Sequence, residues 1–253
     1  MKTSNPPSAA QAPHEPLTGY YANEEERQSY LRRIFDTTAP DYDKVEAMLA
    51  WGTGSRYRRQ ALERGGLKTG MRVLDVGVGT GLVAAQACLI TGNPSLVTGV
   101  DPSPGMLAAS KLPASMTLVN GRAESLPFPD NHFDFLSMGY ALRHISDLGV
   151  AFAEFHRVLK PGGRLCILEI TQARTPVGKW ILKTYMRGVI PFLSRLVTRR
   201  TETTTIWRYY WDSIEACVPP AQVIATLQAQ GLSDVRQHLE VGVFSEYQAI
   251  KPL

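Results

Sequence analysis

Asp75-Val-Gly-Val-Gly-Thr-Gly81 follows directly on the strand-like run Met71-Arg-Val-Leu-Asp-Val76, and the pair predicts a strand that turns sharply through glycines into a helix. Glycines at 77, 79 and 81 let the backbone turn tightly and bring its N–H groups against a ligand. A carboxylate two positions ahead of the first glycine would repel a phosphate. It suits a ligand with positive charge instead. S-adenosylmethionine, which carries a sulfonium, an ammonium and a ribose, is such a ligand, so Asp75, Gly77, Gly79, Thr80 and Gly81 are candidate cofactor-binding residues.

Outward from this loop, strands alternate with helical stretches between Met71 and Ile170, which implies βαβ units and a parallel sheet. The expected strands are Arg72–Val76, Leu96–Val100, Met116–Asn120, Phe133–Met138 and Arg164–Ile170. Leu148, Ala151, Phe152, Phe155, Val158 and Leu159 recur at helical spacing; Asp147 is placed to cap that helix, and Lys160-Pro-Gly-Gly163 to stop it. A last helix, Pro220–Gln230, is followed by short strands near Asp234–Glu240 and Phe244–Ile250. The expectation is an α/β, Rossmann-like class I methyltransferase fold with a seven-stranded sheet, mostly parallel and ending in an antiparallel hairpin, plus a helical cap.

The 253 residues suffice for one such domain. Residues 1–22 read as a disordered tail, 23–253 as the domain, and 23–64 with 171–215 as the cap over the site. A net charge of +4 is too mild to argue for nucleic acid. Cys88, Cys166 and Cys217 form no CxxC pair, so they read as reduced thiols with no metal site, in a cytoplasmic protein. No run approaches the ~18 apolar residues of a membrane span.

Asp101 lies about twenty residues beyond Gly81, the spacing at which an acidic side chain meets ribose hydroxyls in a doubly wound sheet; Pro102 follows it. The stretch Arg122-Ala-Glu-Ser-Leu-Pro-Phe-Pro-Asp-Asn-His-Phe-Asp134 joins the third strand to the fourth, where an adenine would lie, and Ala123 offers a small side chain and a backbone N–H. Gly79-Thr-Gly-Leu-Val-Ala84 also matches G-x-G-x-x-A, so a nicotinamide oxidoreductase stands as an alternative. Asp75 and the single terminal hairpin favour the sulfonium cofactor.

These residues carry a family resemblance. Ile34-Phe-Asp-Thr-Thr-Ala-Pro-Asp-Tyr-Asp43, Val73–Gly81, Ala123–Asp130, Ala141-Leu-Arg-His144, Arg157–Leu165 and the Arg208–Ile214 stretch are similar to the ubiquinone/menaquinone-biosynthesis C-methyltransferases, from about Ile34 to Pro252. The resemblance implies cofactor contacts at Thr80, Asp101 and the backbone around Arg122 and Ala123. It also implies a substrate-side arginine, Arg143, and a reduced prenylated quinone methylated on ring carbon. Four positions depart from the family's pattern: Arg122 replaces Asn, Gly139 replaces Ser (leaving it as a cofactor-side candidate), His144 replaces Asn, and Glu46-Ala47 replaces Asn-Asp.

Carbon methylation of a phenol needs a base, or a cation that stabilises the phenolate. Arg143, His144 and Tyr42 are therefore the candidate catalytic residues. Tyr42, Asp43, Arg143, His144 and Tyr209 are the candidate substrate contacts. The basic, aromatic stretch 177–200 could form a membrane-surface helix that collects lipid-soluble acceptors, so peripheral membrane contact is an expected partner, with a homodimer as another. The expected activity is methyl transfer from S-adenosylmethionine to a small aromatic or quinol-like acceptor at ring carbon. O- or N-methylation of a soluble metabolite and a non-methylating cofactor-binding protein are alternatives.

Overall fold

Val73–Val76 (β1) is buried at all four positions because it runs through the middle of a sheet covered on both faces. The computed structural model describes residues 11–49, 53–193 and 201–253. The helices are α1 (Glu24–Leu49), α2 (Gly54–Arg64), α3 (Leu82–Thr91), α4 (Pro104–Ala109), α5 (Leu148–Val158), α6 (Pro176–Thr184), α7 (Thr201–Ala216) and α8 (Pro220–Ala229). The other strands are β2 (Val97–Asp101), β3 (Thr117–Asn120), β4 (Phe133–Gly139), β5 (Leu159–Ile170), β6 (Ser233–Glu240) and β7 (Phe244–Ile250). They form one seven-stranded sheet in the order β3-β2-β1-β4-β5-β7-β6. Pairs among the first five strands are parallel, and β7 is antiparallel to both β5 and β6. The chain reverses its direction of travel across the sheet between β1 and β4, and ligands bind at that switch point in such folds.

The helical spacing read for α5 holds. Leu148, Ala151, Phe152, Phe155 and Val158 are all inaccessible to solvent, and the Asp147 carboxylate accepts from the N–H groups of Gly149 and Val150 as its N-cap. The helix stops before Lys160-Pro-Gly-Gly163, but those four residues fall within the span of β5, where Gly162 takes a positive φ of 76° and the pairing with β4 shifts register between Phe133 and Phe135. Helix runs through Pro191. A π-turn over Tyr185–Val189 precedes it, and helix continues to residue 193. A widened turn of this kind accommodates the donor that proline lacks.

The expected tail needs correction from residue 11 onward. Gln11 accepts from the Leu148 N–H at 2.9 Å, Pro13 accepts from the Val218 N–H at 2.7 Å, and His14 and Tyr21 are buried. The polar, proline-rich composition concealed this because the segment is held mainly through its backbone. Tyr21 and Tyr30 then join Ile206, Trp207, Tyr209, Tyr210, Trp211 and Ile214 in an aromatic core between α1 and α7, separate from the two cores that flank the sheet.

Candidate active site

A cavity of about 780 Å³ opens beside the carboxyl ends of β1, β2 and β4, within the ~300–1,000 Å³ range of small-molecule sites. Gly77, Gly79 and Gly81 all have positive φ (69°, 55° and 98°), so each needs glycine. A side chain at Gly77 would strike Ala141, with the two Cβ atoms 2.6 Å apart. Gly79 lines the cavity, and nothing lies within 4 Å of where its Cβ would be, so a side chain there would project into ligand space.

Four N–H groups of this loop are already occupied. Those of Gly77 and Val78 donate to the Val100 carbonyl (2.8 and 3.0 Å), that of Gly81 to Val78 (2.9 Å) and that of Gly79 to Asp101 Oδ2 (2.8 Å). A pyrophosphate would find few donors here and would meet the Asp101 carboxylate. The loop is unsuited to the nicotinamide dinucleotide that G-x-G-x-x-A suggests.

Asp101 and Pro102 both line the cavity. The second Asp101 oxygen accepts from the Ser103 N–H at 2.8 Å. Each oxygen keeps a lone pair, enough to receive two neighbouring hydroxyls. Burial pushes the carboxyl up to about 6 against the opposing pull of the Ser103 and Gly79 hydrogen bonds. Gly139, Arg122 and Ala123 also line the cavity. Arg122 is braced by Ser146 Oγ (2.8 Å), Gln28 and Glu124, which ties the loop after β3 to α1. Thr80 lines it too, its hydroxyl donating to Asp43 Oδ1 at 2.5 Å.

Part of the remaining wall is aromatic. Phe35, Tyr42, Tyr140 and Tyr210 line the cavity together with His144, and the Tyr42 and Tyr210 hydroxyls share a hydrogen bond of 2.9 Å. The His144 ring stacks on Tyr209 (5.7 Å, 24°) and Tyr210 (5.9 Å, 27°), with the Phe35 ring edge-on at 5.2 Å. Its Nδ1 lies 3.3 Å from the Tyr209 hydroxyl, and its Nε2 has no hydrogen-bond partner among the described residues. Burial, then the charges of Arg143 and Arg27, hold His144 well below the usual imidazole range, so it is neutral at pH 7.

Five sequence-derived site residues stand elsewhere than expected. Asp75 is buried behind the glycine loop, accepting from the Ser137 hydroxyl at 2.6 Å, and burial pushes it up to about 7. It does not face the cavity, because its side chain leaves β1 into the packed interior. Gly81 caps α3 against Leu112 and is outside the wall. Asp43 meets the site only through Thr80. Tyr209 lies behind His144, fully buried.

Arg143, also fully buried, is paired with Glu169, donates from Nε to Ser213 Oγ at 3.1 Å and lies 4.8 Å from the Tyr210 ring centre. It supports the wall and is not part of it.

Sequence reading missed Asp36, Arg58, Tyr140 and Tyr210, all in the wall, where Glu46, noted as a departure from the family's pattern, also stands. Asp36 Oδ1 accepts from Ser103 Oγ (2.5 Å) and the Gly105 N–H (2.9 Å), holding α1 to the start of α4. Gly105 permits this, since a Cβ there would lie 2.8 Å from Asp36 Cα. Asp36 and Tyr210 fall inside stretches already singled out. Arg58 carried no local signal.

Comparison with known proteins agrees with this geometry. Residues 22–251 match the ubiE/COQ5 methyltransferase family. A demethylmenaquinone methyltransferase of Corynebacterium efficiens is 33% identical over 87% of this chain and 93% of its own. A ubiquinone/menaquinone biosynthesis C-methyltransferase UbiE of Francisella philomiragia is 32% identical over 75% of this chain and 78% of its own. Among solved structures, a SAM-dependent methyltransferase of Thermotoga maritima superposes with a TM-score of 0.61 at 19% identity, covering 87% of this chain and 99% of that one, which speaks to the fold. The chain is therefore an S-adenosylmethionine-dependent methyltransferase and belongs to the ubiE/COQ5 methyltransferase family.

Proposed function

We propose that this cavity methylates a ring carbon of a small, quinol-like acceptor. The aromatic lining of Phe35, Tyr42, Tyr140 and Tyr210 together with a neutral His144, next to the glycine loop, carries this reading. The names of the relatives, which concern ubiquinone and menaquinone biosynthesis, support the same class. The residues also suit the cofactor. Asp101 has lone pairs for ribose hydroxyls, Ala123 and Arg122 offer backbone to an adenine, and Gly79 leaves ligand space unfilled.

Bound S-adenosylmethionine supplies an electrophilic methyl group. The chain's task is to hold a flat ring in line with it and to raise the ring's electron density. Flat aromatic walls orient the ring, and such alignment supplies much of the acceleration. His144 Nε2 takes the hydroxyl proton; burial and the nearby arginines keep the imidazole unprotonated while making it a weaker base than free imidazole, and loss of the ring C–H proton to water after methyl transfer restores the aromatic ring. Methyl transfer from labelled cofactor to reduced prenyl quinols and to soluble phenols, with the product carbon located by NMR, tests this. A methyl found on oxygen or nitrogen overturns it.

A second observation concerns where the acceptor comes from. On α6 and just beyond it, Val177, Trp180, Ile181 and Phe192 are exposed near Lys179 and Lys183, which pair with Glu215 (3.6 and 3.9 Å), and Arg187, which pairs with Asp212 (3.8 Å). Apolar and aromatic side chains bordered by cations form a face that lies on anionic lipid. Residues 194–200, which the sequence reading included in this basic stretch, lie outside the described residues. No described helix is long and apolar enough to cross a membrane.

A further inference from the structure

Arg58 is a buried cation in the cavity wall whose hydrogen bonding is incomplete. It is 3% exposed, and among the described residues its one hydrogen-bond partner is Glu46, reached through Nη2. Its Nε is buried with no acceptor. A guanidinium presents five N–H donors, so Glu46 satisfies a small part of it. The guanidinium carbon lies 5.9 Å from the Tyr140 ring centre, and Tyr42, whose hydroxyl burial pushes up, is close enough for the Arg58 charge to oppose that rise. Tyr140 sits at φ +59° directly after β4, and Ala141 touches Gly77. Arg58 therefore stands beside the glycine loop at its β4 side, whereas Asp101 and Arg122 hold the side nearer β2 and β3.

A desolvated cation with spare donors, in a wall whose other charged partner takes only one nitrogen, is an anion site. We propose that Arg58, restrained by Glu46, binds an anionic oxygen of a cavity ligand. This rests on the methyltransferase reading, and two ligands bring such an oxygen. One is the amino-acid carboxylate of the cofactor; the other is the phenolate of the acceptor. Both are recognised by the same charge-assisted donors; with Arg143 locked behind the wall, Arg58 of α2 is the buried cation of the lining, whereas Arg122 is braced by Ser146, Gln28 and Glu124.

Isothermal titration of the full chain separates the sources. The ligands are S-adenosylhomocysteine and 5′-methylthioadenosine, which keeps the nucleoside and lacks the amino acid. Binding of S-adenosylhomocysteine by the unmodified protein tests the cofactor reading; only the variants' responses test Arg58. If the carboxylate is the ligand, Arg58→Met loses about tenfold or more in affinity for S-adenosylhomocysteine and keeps its affinity for 5′-methylthioadenosine. If the phenolate is the ligand, both affinities stay, while kcat with a reduced short-chain prenyl quinol falls about tenfold or more and its rise with pH moves to higher pH.

Arg58→Lys should recover part of either loss. If Arg58→Met fails to bind 5′-methylthioadenosine because it has not folded, Glu46→Gln gives the reading, since it leaves the arginine present and unneutralised. Anion affinity, or turnover at low pH, should then rise severalfold. Unchanged affinities with an unchanged kcat profile in Arg58→Met, or no response in Glu46→Gln where that variant is used, overturns the proposal.

Discussion

The Gly79 backbone N–H donates to the Asp101 carboxylate across 2.8 Å, closing the glycine loop onto the end of β2. That bond uses the amide a phosphate would need and fixes the carboxylate at the cavity wall. Asp101→Ala should lower affinity for S-adenosylhomocysteine by about tenfold or more, as loss of hydrogen bonds to a charged group does, measured by calorimetry. Affinity should also depend on pH. Burial raises this carboxyl to about 6 in the free protein, and hydroxyl donors favour its charged form. Binding should therefore be full above pH 7 and weaken as pH falls through 6. An affinity that is flat between pH 5 and 8 would count against Asp101 as the ribose partner.

Asp75 carries the opposite lesson for stability. Its folded pKa is raised to about 7 by burial, from 3.8. The folded state thus holds the extra proton, and stability falls as pH rises from about 4 to 7. Asp75→Asn should then stabilise the protein at pH 8, by roughly 4 kcal/mol at most at ~1.36 kcal/mol per unit. The gain should shrink steadily on acidification and vanish near pH 4. Urea unfolding at several pH values checks this, and an equal gain at every pH would refute it.

Arg143 and Glu169 form a fully buried ion pair behind the aromatic wall. Removing one partner strands the other, so Arg143→Met should cost about 3–5 kcal/mol in urea unfolding. Arg143→Met with Glu169→Leu should regain much of that loss. If Arg143→Met folds with unchanged stability yet is inactive, the residue reaches the acceptor after all and the assignment to wall support fails.

His144→Gln should reduce kcat by about 10²-fold or more, the usual share of a proton acceptor, while S-adenosylhomocysteine still binds. Because burial holds His144 well below 6.5, kcat should show no acidic fall from this residue between pH 6 and 8. Turnover that survives the substitution would move the base role elsewhere.

Trp180 and Phe192 are 67% and 64% exposed. Replacing both by Glu should abolish co-sedimentation with anionic liposomes and leave turnover of a detergent-dispersed quinol intact. Raised salt should weaken binding of the unmodified protein, since Lys179, Lys183 and Arg187 contribute. Retained binding in the doubly substituted protein rules this face out.

The 142–144 segment shows why part of the site was hidden in the sequence. Leu142-Arg-His144 was legible as a polar pair at the carboxyl end of β4, and the structure puts it there. It is a 3₁₀ turn, and with about three residues per turn successive side chains point a third of a circle apart. His144 meets the cavity while Arg143 enters the core. Asp75 repeats the case in a strand, where neighbouring side chains take opposite faces.

Periodicity and glycine placement by themselves determined the alternation of strands and helices, the loop after β1, the acidic residue ending β2 and the helix cap at Asp147, because each is a local constraint on backbone shape. Tertiary structure alone decided which charges are buried, which face the ligand, and that Arg58 of α2 stands beside Tyr140 of the segment after β4. Burial and direction depend on what other elements pack above a residue, and no stretch of its own neighbours records that.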